Sequence, residues 1–184
     1  MTINYRDTLN LPETDLSMKA GLANKEPEII DLWNSLDLYN EIRARAAGKD
    51  QFILHDGPPY ANGDIHIGHS VNKILKDITI KIQTMLGKDA PFIPGWDCHG
   101  LPIELNVEKK HGKNSDLVKN KHDFINACKE YALTQVEKQK DDFIRLGVLA
   151  DWSNPYKSAD ASFEADTLRA VSYTHLTLPT SVTV

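Results

Sequence analysis

The chain has few cysteines and no long apolar run. Among its 184 residues, Cys98 and Cys128 are the only cysteines, and neither has a close-spaced partner. The spacing therefore predicts neither a disulfide framework nor a paired-cysteine metal site. No apolar run approaches the roughly 20 residues that a membrane-spanning helix needs. The N-terminus carries charges and prolines where a signal peptide has an apolar segment. These absences predict a cytoplasmic protein with no membrane partner.

An excess of positive charge is also absent. The 21 lysines and arginines are outnumbered by 26 acidic residues, so the formal net charge is −5. The overall charge therefore does not predict a polyanion partner, although it is compatible with a local basic patch. Hydrophobic residues make up 41% and charged residues 26% of the chain, which is typical of a soluble globular domain with a core.

The order of predicted elements indicates an α/β fold. The first 25 residues are predicted to form a polar arm, followed from near Pro27 by one or two short helices that end at Gly48. The later elements are a strand at 52–55, an amphipathic helix from Ile67 to Gly87, a strand within 90–97, a helix within 101–112 and a long helix at 121–146. Strands that alternate with helices predict a parallel sheet.

The loop and helix start at residues 53–77 carry the strongest chemical signal. His66 and His69 stand at the start of a predicted helix, where unpaired backbone N–H groups and the positive end of the helix dipole favour an anion. Gly68 removes a side chain where a flat ligand can approach the backbone. Pro58 and Pro59 restrict the preceding loop. The pattern therefore predicts a preformed phosphate-binding site.

Residues 59–69, PYANGDIHIGH, resemble the ATP-binding signature of class I aminoacyl-tRNA synthetases, whose hallmark is His-Ile-Gly-His at a helix N-terminus. Together with LHDGPPYANG before it and PGWDCHGLPIEL after it, the resemblance is to isoleucyl-tRNA synthetases rather than to their valine, leucine or methionine relatives. It covers residues 1 to about 170. It implies the first half of a Rossmann-like parallel-sheet catalytic domain with an N-terminal helical arm.

The resemblance implies an activity and a set of partners. Such enzymes join isoleucine to ATP, with Mg²⁺, to form isoleucyl-adenylate and pyrophosphate, and then transfer the isoleucyl group to tRNA(Ile). The enzyme that contains this segment is expected to be a monomer in the cytoplasm. Zinc is expected only in a C-terminal module that this sequence does not contain, so no metal ligand is predicted here.

The resemblance also implies site residues. His66 and His69 are expected to be the catalytic residues, because they would donate hydrogen bonds to the phosphates of ATP. The expected ATP-binding residues are Pro59, Asn62, Gly63, His66, Gly68 and His69. The expected amino-acid-binding residues are Gly57, Pro58, Trp96 and Asp97, with Asp97 holding the substrate ammonium group.

The sequence departs from the family pattern in what it lacks. The second class I signature, Lys-Met-Ser-Lys-Ser, does not occur in it, nor do the editing domain and the anticodon-binding helices. We therefore expect the chain to be a fragment that is inactive by itself.

Residues 171–184, VSYTHLTLPTSVTV, contain no acidic residue, lysine or arginine. Val171 to Thr180 resembles a translated frame of a transposon adaptor used in sequencing libraries, with codons beginning GTC TCT TAT ACA CAT. We therefore expect N-terminal arm and helices at 1–50, the half catalytic domain at 51–170 and a non-native adaptor-derived tail at 171–184. An edge β-strand is the alternative interpretation of the tail.

Two other functions are compatible with parts of the sequence. Histidines and cysteines between His55 and His99 are ligand types for zinc, but their spacing and the loop prolines argue against a metal site. A stand-alone synthetase-like ATP-binding or RNA-binding paralogue is the second alternative, since residues 119–145 carry several lysines. Acidic residues interleave with these lysines and favour a solvated helix face.

Overall fold

The computed structural model describes residues 8–10 and 21–177, with side chains up to 175, and shows seven helices and a short parallel sheet in those ranges. The elements are α1 Leu22–Ser35, α2 Leu38–Ala46, α3 Ile67–Met85, β1 Gly95–Trp96, α4 Leu101–His111, α5 Asp116–Lys119, α6 Lys121–Arg145, β2 Tyr156–Lys157 and α7 Ala161–Thr177. Within these ranges, no helix combines the length and the apolar character that crossing a membrane requires.

The predicted helices are confirmed, with a shifted start for the first. Helix α1 begins at Leu22 rather than near Pro27, and Pro27 lies inside it. Pro27 is the sixth residue of α1, so its missing N–H removes one hydrogen bond, to the Ala23 carbonyl, from the interior of the helix. Most of the predicted arm, at residues 1–7 and 11–20, lies outside the described residues.

The predicted parallel sheet is confirmed but small. β1 pairs in parallel with β2, with Gly95 opposite Tyr156. The predicted strand at 52–55 is wrong, because this segment makes only isolated parallel bridges on either side, Gln51 with Asp89 and Tyr60 with Asp97. Pro58 and Pro59 have no N–H to donate, so a ladder cannot run without interruption from Gln51 to Tyr60.

The core lies where β1 meets helices α4 and α6. Phe92, Trp96, Ile103 and Phe143 are fully buried there. The Trp96 ring packs at a tilt against Phe143, with 6.5 Å between ring centroids. The long helix α6 also holds the loop before α3, because Gln139 Nε2 donates to the Tyr60 and Gly63 carbonyls.

Helix α3 is amphipathic as predicted, but its apolar face is the exposed one. Its buried residues are Lys73, Asp77 and Ile80. Its exposed apolar residues are Ile67, Val71, Ile74, Leu75, Ile78, Ile82 and Met85. We call these seven residues the apolar stripe of α3. The described part of the chain therefore packs against the polar face of this helix.

The last described residues continue a helix. α7 runs from Ala161 through Ala170 to Thr177 without a break, so the alternative of an edge strand is wrong for 171–177. Residues 178–184 of the predicted tail lie outside the described residues.

Candidate functional site

The two histidines at the start of α3 cap the helix reciprocally. His66 is the N-cap residue, with extended backbone, and its Nδ1 accepts a hydrogen bond from the Gly68 N–H at 3.0 Å. In return, the backbone N–H of His66 donates to Nδ1 of His69 at 3.2 Å. The two rings stack with 3.9 Å between centroids. This is the geometry of a capping box, with imidazoles in the places of the usual hydroxyl and carboxyl groups.

The cap determines which ring nitrogen carries the proton. Because both Nδ1 atoms accept a backbone hydrogen bond, the neutral rings are assigned the Nε2–H tautomer. Neither Nε2–H has a role in the cap, so each is a donor available to a ligand. Both donors stand at the positive end of a 19-residue helix, which favours an anion such as a phosphate group.

A cavity of about 290 Å³ opens in front of these histidines. Its lining residues are Gly57, Pro58, Pro59, His66, Gly68, His69, Asn72, Lys73 and Phe143. The loop before α3 forms one wall and the first turns of α3 form the other. The volume is near the lower end of the range for small-molecule sites.

Gly68 is required by the cap itself. A Cβ at this position would lie 2.9 Å from Cε1 and 3.1 Å from Nδ1 of His66. A side chain would therefore displace the imidazole that caps the helix.

The structure brings six of the ten predicted site residues to this cavity, namely Gly57, Pro58, Pro59, His66, Gly68 and His69. Asn62 and Gly63 do not line it and instead anchor the loop. The Asn62 carbonyl accepts from Asn106 Nδ2 at 2.8 Å. The Gly63 carbonyl accepts from Gln139 Nε2 at 2.7 Å.

Trp96 and Asp97 are also not among the residues that line the cavity. Trp96 is fully buried in the core, where its Nε1–H donates to Gln139 Oε1 at 3.0 Å, so it does not line the cavity. Asp97 is half-buried, and its carboxylate accepts from the His99 N–H at 3.2 Å and from Ser158 Oγ at 3.3 Å. Its backbone N–H donates to the Pro59 carbonyl at 2.9 Å, so it is tied to the cavity loop.

Sequence reasoning missed three residues of the lining, Asn72, Lys73 and Phe143. Lys73 follows His69 by four residues and so shares its helix face, which is a signal that was available. Asn72 and Phe143 had no such signal. Among the described residues, no group of three or more His, Cys, Asp or Glu side chains could hold a metal ion.

The reciprocal cap should depend on pH. Burial, and then the neighbouring His66 and Lys73, lower the pKa of His69 below its ordinary value of 6.5. The unfolded chain therefore takes up a proton before the folded one does, so the contribution of His69 is complete above pH 6.5 and is lost as the pH falls through the lowered folded pKa. We expect amide hydrogen exchange, corrected for the chemical rate, to show less protection of the first turn of α3 at about pH 5.5 than at about pH 7.5.

His69→Gln is the matched control for this titration. A glutamine at this position of a capping box can accept from the backbone N–H of the N-cap residue, and it does not titrate. The pH dependence should therefore be smaller in this variant. Identical profiles for the variant and the unsubstituted protein would contradict the titration of His69.

The chain matches a protein-family model and curated proteins along most of its length. The model of the family described as tRNA synthetases class I (I, L, M and V) matches residues 28–176. An isoleucine-tRNA ligase of Methylococcus capsulatus is 61% identical over 169 residues, which are 92% of this chain and 18% of that protein. That of Thiobacillus denitrificans is 60% identical over 168 residues, 91% of this chain and 18% of that protein. The chain thus spans about 18% of the length of these curated relatives.

The fold has a counterpart among solved structures. A LeuRS of Agrobacterium radiobacter, solved in a ternary complex with tRNA and LeuAMS, matches with a TM-score of 0.64 and 19% identity, over 85% of this chain and 18% of that one. This likeness confirms the predicted Rossmann-like α/β class. Because the family match extends over most of the chain and includes the histidine-capped helix and its cavity, the chain belongs to the class I tRNA synthetases of the I, L, M and V group.

Proposed function

We propose that this chain is the N-terminal part of an isoleucine-tRNA ligase and that the cavity at the start of α3 receives the phosphates of ATP. The observation that carries the proposal is the reciprocal cap, which uses both Nδ1 atoms and leaves the two Nε2–H donors of these cavity-lining histidines available to a ligand. Similarity to isoleucine-tRNA ligases at about 60% identity supports isoleucine as the amino acid. We use "parent enzyme" for the full-length protein that carries this segment.

The reaction proposed for the parent enzyme is activation of isoleucine followed by transfer to tRNA(Ile). The isoleucine carboxylate oxygen forms a bond to the α-phosphorus of ATP, the bond to the β,γ-phosphates breaks, and pyrophosphate leaves with the bond electrons. No protein nucleophile is needed, so the chain contributes positioning and stabilisation of charge. His66 and His69 donate hydrogen bonds to phosphate oxygens, and Gly57 and Pro58 contact the amino acid.

The cavity lining fits ATP better than it fits a resident metal ion. The lining has no carboxylate, so a Mg²⁺ ion that accompanies ATP would be held by the phosphates and by water. Lys73 and the helix N-terminus add positive character to the same wall. Transfer to tRNA(Ile), the cytoplasmic location and the monomeric state belong to the parent enzyme as part of this proposal.

Isoleucine-dependent exchange of pyrophosphate into ATP by the parent enzyme tests the proposal. Isoleucine should support exchange far better than leucine or methionine, and a parent enzyme that prefers either of these would refute the assignment.

Asp97→Ala should mostly weaken isoleucine binding, by roughly 1.5–3 kcal/mol, because one charge-assisted hydrogen bond to the ammonium group is lost. An unchanged KM for isoleucine would remove Asp97 from the site.

The tail has a separate test, motivated by the apolar stripe of α3. This stripe is exposed in the described residues, and residues 171–184 offer few large apolar groups to cover it. We propose that these residues are adaptor read-through and that the native frame continues beyond Ala170. Sequencing of the genomic locus without such an adaptor should diverge near Ala170 and reach a Lys-Met-Ser-Lys-Ser-like stretch. A native stop codon after Val184 would instead favour a stand-alone ATP-binding paralogue.

A further inference from the structure

Three charged side chains form a buried cluster beside the cavity. The carboxylate of Asp56 accepts hydrogen bonds from Lys73 Nζ, from Lys76 Nζ at 2.6 Å and from the Gly95 N–H at 3.1 Å. The side chains of Asp56 and Lys73 are 0% and 2% exposed. We call Asp56, Lys73 and Lys76 the charged cluster.

The packing around Lys73 does not by itself require a charge. Its Nζ lies 5.3–5.9 Å from the centroids of three aromatic rings, those of Phe92, Trp96 and Phe143. Burial lowers the pKa of Lys73, and the Asp56 carboxylate opposes that shift. Hydrophobic residues of similar volume often replace buried ion pairs at no cost in stability. A buried lysine at this place therefore calls for an explanation other than stability.

The cluster joins the two walls of the cavity. Asp56 directly precedes Gly57, Pro58 and Pro59, which form the loop wall. Lys73 and Lys76 belong to α3, whose N-cap residue is His66 and whose first turn carries His69, and this end of the helix forms the other wall. Lys76 Nζ also donates to the Gly57 carbonyl at 3.3 Å. The ion pairs therefore set the separation between the loop and the histidines.

The two ends of the loop are also held by hydrogen bonds to other parts of the chain. The Tyr156 hydroxyl donates to the Asp56 carbonyl at 2.5 Å, which ties the start of the loop to β2. At its end, the Pro59 carbonyl accepts from the Asp97 N–H at 2.9 Å. These two hydrogen bonds fix the ends of the loop to β2 and to the residue after β1, but neither of them fixes its distance from α3. The charged cluster fixes this distance.

We propose that Asp56, Lys73 and Lys76 are positioning residues that hold the Gly57–Pro59 loop at a fixed distance from the capped start of α3. Both lysine side chains donate to Asp56, so the three residues act on ATP and isoleucine through the position of the loop. The inference rests on the proposed function for its substrates. The cluster pairs two lysines with one carboxylate beside the cavity.

Lys73→Met in the parent enzyme tests the inference. Methionine suits the three aromatic rings, and Asp56 keeps Lys76 and the Gly95 N–H as partners, so the fold should survive. Lys81→Met is the matched control. This substitution breaks another ion pair of α3, that of Lys81 with Asp77 at 2.5 Å, and removes the contact of Lys81 with the Trp33 ring. Lys81 does not line this cavity.

The expected result has two parts. Lys73→Met should raise the KM for both ATP and isoleucine and lower kcat/KM for ATP about 10- to 100-fold, because small displacements of positioning groups cost this much. It should also speed amide hydrogen exchange in the segment 56–63 of the ligand-free enzyme. Lys81→Met should leave both KM values and the exchange of this segment unchanged.

Other outcomes decide against the inference. A purely structural role would lower the fraction of folded enzyme, so kcat would fall while both KM values stayed the same, and that result would overturn the proposal. A parent enzyme without isoleucine-dependent exchange would refute the proposed function instead. In that case amide hydrogen exchange still tests the charged cluster without any substrate. Unchanged exchange in segment 56–63 of the Lys73→Met variant would show that the cluster does not hold the loop.

Discussion

No isoleucine-dependent exchange of pyrophosphate into ATP is expected from the 184-residue chain by itself. The chain lacks the Lys-Met-Ser-Lys-Ser signature, whose lysines the family resemblance assigns to the transition state. The described cavity has His66, His69 and the start of α3 on one wall, and its other wall is a loop of glycine and prolines. Charge that develops on the leaving pyrophosphate would therefore meet donors from one side alone.

The measurement is exchange of labelled pyrophosphate into ATP, with and without isoleucine, at chain concentrations well above those used for an active ligase. The parent enzyme, assayed in parallel, is the positive control. Exchange by the chain that exceeds the blank and depends on isoleucine would show that the missing signature is not needed.

His66→Ala in the parent enzyme should have the second largest effect. The substitution removes one Nε2–H donor from the phosphate site and also the acceptor for the Gly68 N–H. Loss of one such donor typically costs a factor of about 10²–10³ in kcat, and the adenylation rate should fall by this amount. The KM for isoleucine should change less than about twofold, since the proposed partner of His66 is phosphate.

His122→Ala is the control for this variant. His122 is an exposed histidine in the first turn of another helix, α6, and it does not line the cavity. Its removal should leave both constants unchanged. If His66→Ala altered the KM for isoleucine and left the rate intact, His66 would belong to the amino-acid site.

Much of the site was predictable because its residues are close in sequence. Gly57, Pro58 and Pro59 precede His66, Gly68 and His69 by about ten residues, and a tight loop before a helix N-terminus brings such residues together. The reciprocal cap and its tautomers were not predictable, because they depend on ring orientation. Asp56 and Lys73 were missed since their pairing is a tertiary contact across 17 residues.

Periodicity predicted where α3 lies but not which face it buries. A stripe of apolar residues normally faces a core, yet Ile67 is 80% and Met85 is 78% exposed, whereas Lys73 is buried. The pattern reports on the whole protein, and this chain spans about 18% of the length of its relatives. The strand expected at 52–55 is absent, with isolated bridges at Gln51 and Tyr60 on either side of it, and Pro58 and Pro59 have no N–H with which to join these bridges into one ladder.

The reciprocal cap makes the two histidines one thermodynamic unit. The two rings stack with 3.9 Å between centroids and cap the same helix start, so removal of either ring also removes a surface against which its neighbour packs. The free energies of two single substitutions in such a pair do not add, and their difference from the double substitution is a coupling energy rather than an error. A share of catalysis measured for His66 is therefore partly a property of His69, and neither value can be assigned to one side chain.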